Sequence, residues 1–156
     1  MLSLLRKLSL GPEAPLRMED PDFGAIRFLE SSGKDGYWAM DGKWTVPYQA
    51  QGITCAEIPG DRSGPATGAR SFLLSKRSQA DDIWDLAAPH LRELMAAWSH
   101  LEALEPKKAF FISCLAKDSD LQDGWEVCFE THEGLEWVNF CLQMEGDDVV
   151  SNTIHT

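Results

Sequence analysis

The sequence predicts an α+β fold: an antiparallel sheet, with a C-terminal four-strand meander and further N-terminal strands, packed against one long or Pro-kinked helix. Three observations predict it. Four runs rich in β-branched and aromatic residues, AFFISCLAK, GWEVCFET, LEWVNFCLQM and VVSNTIHT, follow one another between Lys108 and Thr156, with Gly and Asp at the breaks. Just upstream, Ile83, Trp84, Ala87, Leu91, Leu94, Trp98 and Leu101 recur at helical spacing. The N-terminal half carries several shorter strand-like runs.

Taken in order, Leu2, Leu5 and Leu8 suit a short amphipathic helix over residues 2–9. Gly11 to Pro21 is Pro-rich and polar and reads as an extended connector, so residues 1–21 form an N-terminal segment of a single domain spanning 1–156. FGAIRFLE, from Phe23 to Glu30, is a strand, and SSGKDG is a turn. YWAM and KWTVPY flank Asp41–Gly42, whose glycine permits the positive φ of a two-residue hairpin turn. Pro47 ends that second strand or puts it at an edge. GITCAEI is another strand, Gly60 to Ala69 a loop, and RSFLLSK, from Arg70 to Lys76, a strand. Ser78 reads as an N-cap, with Asp81 and Asp82 in the first turn, where the helix dipole favours acids. Pro89 either kinks the helix or divides it into Gln79–Ala88 and Pro89–Leu104, and Pro106 closes the region.

Side-chain alternation assigns faces in the meander. Trp125, Val127 and Phe129 share one face, with Val138, Phe140, Leu142 and Met144. Glu126, Cys128 and Glu130 share the other, with Trp137, Asn139 and Cys141. A two-residue Glu133–Gly134 loop pairs His132 with Leu135, and places Val127 opposite Phe140 and Phe129 opposite Val138. A slip by one residue would set apolar side chains against Glu and Asn. The EGDD turn leaves open whether Val149, or Val150 and Ile154, point inward.

With 156 residues, 44% of them hydrophobic, the chain can build a core without disulfide or metal support. Its formal net charge of −11 argues against nucleic acid, which needs clustered Lys and Arg, and suits a basic partner. In the expected register Cys128 faces Asn139 and Cys141 lies diagonally away, poor geometry for a bridge. All four cysteines, Cys55, Cys114, Cys128 and Cys141, therefore read as reduced thiols in a cytoplasmic protein. Arg6 and Lys7 break the N-terminal apolar run, so it lacks the form of a secretory signal, and no run approaches the roughly 18 apolar residues of a membrane span.

No cofactor, metal or catalytic constellation is expected. The loop with Asp118, Asp120 and Asp123 lacks the Gly and bidentate Glu of a calcium loop in the required places. Cys128 and His132, on one face of a strand, stand over about 13 Å apart, too far to share zinc. The Gly60–Ala69 glycines are not followed by Gly-Lys-Ser/Thr. The mixed face has a different character. Trp137 among acids and amides has the make-up of a protein-binding hot spot.

The small size, acidity, α+β build and the GWEVCFET…LEWVNFCLQMEGDDVVSNTIHT run resemble the bacterial immunity proteins, small cytoplasmic inhibitors of a cognate toxin. That resemblance implies a non-enzymatic inhibitor whose acidic surface blocks a basic toxin domain. The expected contact residues are Glu126, Glu130, Trp137 and Asn139, with Asp118, Asp120 and Asp123. A small enzyme or ligand-binding domain with a pocket between helix and sheet is the alternative, and a homodimer formed through the sheet a third reading.

Overall fold

Residues 15–31, 34–46 and 49–156 are described by a computed structural model. The first strands are β1 (Arg17–Asp20), β2 (Gly24–Ser31), β3 (Lys34–Met40), β4 (Cys55–Asp61) and the short β5 (Gly64–Pro65). Three helices follow, α1 (Thr67–Ser78), α2 (Ala80–Ala96) and α3 (Pro106–Ala109). Then come β6 (Phe110–Lys117), β7 (Gly124–Thr131), β8 (Asn139–Glu145) and β9 (Asp148–His155). All the strands lie in one mixed sheet, ordered β1-β2-β3-β4-β6-β7-β8-β9, with β5 also on β4.

Neighbours in the sheet are antiparallel except at one place. β4 and β6 run parallel, with Cys55 opposite Cys114 and Glu57 opposite Ala116. A parallel pair cannot be joined by a hairpin, and here the connection runs through all three helices. The expectation of an antiparallel sheet is corrected at this joint.

The helices cover one face. Trp84 of α2 packs on Phe129 at a ring separation of 5.0 Å, and Phe72 of α1 meets the edge of Trp125 at 6.1 Å. Leu73, Ile83, Ala87 and Leu91 are buried there with Ile26, Trp38, Ile58, Leu115, Val127, Phe140 and Leu142. At about 25 cal/mol per Å² of apolar area, such side chains each contribute roughly 1.5–3 kcal/mol on burial. Trp38, Trp44, Trp84 and Trp125 are buried and Trp98 is partly so, as their apolar settings suggest.

Several elements differ from expectation. RSFLLSK is not a strand but the body of α1. A short apolar run has no decisive period, and here Leu73 turns into the core from a helix. Ser78 is consequently the last residue of α1, not an N-cap, and its Oγ donates to the Ser75 carbonyl. The expected helix is not divided at Pro89: α2 begins at Ala80 and runs unbroken through Pro89 to Ala96, short of Leu104. Pro106 opens α3 at its first turn. Arg17–Asp20, inside the expected connector, pairs with β2. The turn expected over SSGKDG gives way by Lys34, where β3 begins. Asp41–Gly42 does not join two paired strands: β3 lies between β2 and β4, and Trp44 bridges to Ile53 instead. The helix expected over 2–9 and the role assigned to Pro47 lie outside the described residues.

The pairing of β7 with β8 keeps the expected faces but moves by two residues. Val127 lies opposite Leu142, Phe129 opposite Phe140 and Cys128 opposite Cys141. The His132–Leu135 turn is present, with the Leu135 amide donating to the His132 carbonyl and Gly134 at φ 92°. Thr131 is what lengthens the loop. Its Oγ1 donates to the Glu136 carbonyl at 2.9 Å and accepts the Val138 amide at 3.0 Å, so regular pairing resumes only at Asn139. Trp137 is therefore a loop residue, 52% exposed, rather than a strand residue on the mixed face. In β9, Val149 packs against the core, while Val150 and Ile154 are exposed at this sheet edge.

Candidate functional site on the second face of the sheet

No helix among the described residues packs on the other face. The strands set its side chains in rows. Glu57, Ala116, Glu126 and Gln143 form one row across β4, β6, β7 and β8. Cys55, Cys114, Cys128 and Cys141 form the next. Phe111, Glu130 and Asn139 form a third. The described N-terminal strands thus extend this layer sideways.

A bulge makes the cysteine row possible. Between Ile112 and Cys114 the β6–β7 register shifts, so Ser113 is the extra residue. Before it, Phe110 and Ile112 face the core, and after it Leu115 does. Without that insertion Cys114 would point among the helices. Ser113 is held there by a 3.3 Å bond from its Oγ to the Cys128 carbonyl and by the Thr54 amide on its own carbonyl. Beside it the Gln49 amide side chain stands in for a strand, donating to the Ile112 carbonyl and accepting its amide.

Cys128 and Cys141 are joined by a disulfide, Cα atoms 4.0 Å apart. The reduced state expected for all four cysteines is corrected: the two-residue shift turns a diagonal pair into a direct one. Cys55 and Cys114 are free and half-buried. Their thiols are hydrogen-bonded to each other, and that bond holds Cys55 below the usual thiol range while it and burial push Cys114 well up.

The acids on this face are half-buried. Burial pushes Glu57 above the usual carboxylate range. Burial also raises Glu126, reinforced by Glu57 and opposed by His155. Glu126 accepts a hydrogen bond from the Gln143 amide. Four residues along β7, Glu130 accepts one from Asn139 at 3.2 Å.

The sheet carries a hollow of about 260 Å³ on this side, lined in part by Tyr37, Glu57, Lys117, Asp118, Glu126 and Gln143. Lys117 Nζ donates to the carbonyls of Asp118, Leu121 and Gly124 at 2.9, 2.7 and 2.8 Å. An ammonium thus gathers the loop carbonyls inside the acidic turn. Burial lowers the Lys117 pKa, with Asp118 and Asp123 opposing. Asp118 Oδ1 accepts the amides of Asp120 and Leu121, which shapes the turn.

The structure therefore brings together Glu126, Asp118 and Asp120 at the hollow. Glu130 and Asn139 sit further along the same face. Asp123 lies in the β6–β7 loop and does not line the hollow, and Trp137 lies in the loop leading to Asn139. Tyr37, Glu57, Lys117, Gln143 and the cysteine row were missed. The readable signal was in Glu126–Val127–Cys128 and Cys141–Leu142–Gln143: run antiparallel, they pair Cys with Cys and Glu with Gln in a single register.

Ligand atoms of Glu126, Cys128 and Cys141 lie within 4.8 Å of one another, a set that suits a soft metal only when both sulfurs are thiolates. The disulfide removes that donor set. No protein family, no curated protein and no solved structure matches the chain. No described helix is long and apolar enough to cross a membrane.

Proposed function

We propose that the protein is a non-enzymatic inhibitor of the bacterial immunity type, which seats a basic toxin domain on the face of its sheet that no described helix covers. One observation carries this reading: Glu57, Glu126 and Glu130 stand half-buried on a broad face that no described helix covers. Asp118 and Asp120 extend the acidic surface, and Trp137 offers an exposed indole at the far end. A net charge of −11 would steer a basic partner onto it. Carboxylates held partly away from water gain more from a guanidinium or ammonium than exposed ones do.

The test is co-expression with the protein encoded next to it. Rescue of growth and co-elution are expected for the native chain, and loss of both for Glu126→Lys combined with Glu130→Lys. Intact binding after that double charge reversal would count against the surface. The hollow favours a second reading, a small polar ligand held between Tyr37, Glu57 and Gln143. It lies on the open face and not between helix and sheet.

A further inference from the structure

We propose that the four cysteines form a thiol–disulfide relay, in which Cys55 and Cys114 exchange with the Cys128–Cys141 disulfide across the row. The row is contiguous: Cys55 is the register partner of Cys114, Cys114 of Cys128 and Cys128 of Cys141. Neighbouring strands stand about 4.8 Å apart, so each sulfur has the next within a side chain's reach. Attack on a disulfide needs the incoming, central and departing sulfurs roughly in line. A row perpendicular to the strands supplies that alignment.

In the first step the Cys114 thiol, losing its proton through the Cys55 sulfur beside it, attacks Cys128 Sγ. The Cys114–Cys128 bond forms, the Cys128–Cys141 bond breaks, and Cys141 leaves as a thiolate that takes up the proton Cys114 gave up. In the second step the Cys55 thiolate attacks Cys114 Sγ. The Cys55–Cys114 bond forms and Cys128 leaves, taking the proton of Cys55. Two thiols and one disulfide give one disulfide and two thiols, with no outside oxidant.

Acceptors for both new thiols are already in place. Asn139 Oδ1 lies 3.0 Å from Cys141 Sγ, and Glu126 Oε1 lies 3.5 Å from Cys128 Sγ. Cys128 and Cys141 are only 5% and 7% exposed, whereas Cys55 and Cys114 are more open. The relay therefore lets a small external thiol reduce a buried bridge. Two equivalents of thiol convert the transferred Cys55–Cys114 disulfide to two thiols and are themselves joined as a disulfide. The substrates are low-molecular-weight thiols and disulfides.

The experiment is reduction of the full chain by glutathione, with free thiols alkylated at intervals and bridges mapped by peptide mass. Cys114→Ser should slow loss of the Cys128–Cys141 bridge by about tenfold or more, because direct attack must then reach buried sulfur. Cys141→Ser combined with Cys55→Ser, treated with oxidised glutathione, should form a Cys114–Cys128 bridge. Should that double variant fail to fold, Cys55→Ser alone halts the relay after its first step and should show the same bridge, with Cys141 alkylated. Reduction of Cys114→Ser at the native rate, or a Cys128 that stays glutathionylated without bridging, would overturn the relay.

Discussion

Asp20 ties the edge of the sheet to the helical layer. Its carboxylate accepts the amides of Asp22 and Phe23 at 2.8 and 3.1 Å, and Arg70 Nε of α1 at 2.8 Å. Its side chain is only 8% exposed. Asp20→Ala should lower stability by about 1–2 kcal/mol, the sum of lost turn hydrogen bonds and a partly buried ion pair. A urea melt reads this as a lower midpoint with an unchanged slope. Thr131 has a comparable role at the other end. Thr131→Val keeps the shape of the side chain but orphans the buried Val138 amide, at a cost of about 1–3 kcal/mol. The replacement also removes what holds the β7–β8 loop open, so amide exchange at Glu136–Val138 should quicken more than in the strands. Unchanged exchange there would mean that the loop is held by something other than the hydroxyl.

Among the elements, α2 carries an internal proline at an exposed position. Pro89 has no amide to donate and its ring crowds the carbonyl four residues back. Pro89→Ala should therefore stabilise the chain, by about 1–3 kcal/mol, and raise the thermal midpoint without disturbing the buried stripe. A midpoint that falls would show that the proline relieves a bend the packing needs. The stripe of α2 was legible because its apolar spacing extends over several turns. α1 was not, since Arg70 to Lys76 is too short to declare a period. Alternation in β7 and β8 revealed which side chains share a face, yet a shift of two residues leaves faces unchanged and so escapes that test. It was the Thr131 hydroxyl, bonding within its own loop, that decided the register. The Ser113 bulge and the parallel β4–β6 joint depend on neighbours distant in sequence, and neither strand's own composition names them.

For the whole molecule, charge and burial act together on its pH dependence. Glu57 and Glu126 hold their protons more tightly folded than unfolded, because burial penalises the carboxylates. The stability tied to them is full below the ordinary value of 4.5 and is lost as pH rises through their raised folded values. Asp20 acts in the opposite sense. Burial alone would raise it, but Arg70 and the two backbone amides outweigh burial and hold its carboxyl below the ordinary 3.8. Its contribution is present above that value and is lost as pH falls through the depressed one. The net charge of −11 adds self-repulsion that weakens as acids begin to protonate. Stability should thus rise as the pH is lowered from neutral into the mildly acid range, pass through a maximum, and fall once Asp20 titrates. Glu126→Gln should flatten the descent toward neutral pH and leave the acid limb unchanged, whereas Asp20→Asn should do the reverse. The measurement is a set of urea midpoints across pH for the three chains. A Glu126→Gln profile parallel to the native one would mean that water reaches this carboxylate freely, and the half-buried acidic face proposed as the docking surface would lose its electrostatic advantage.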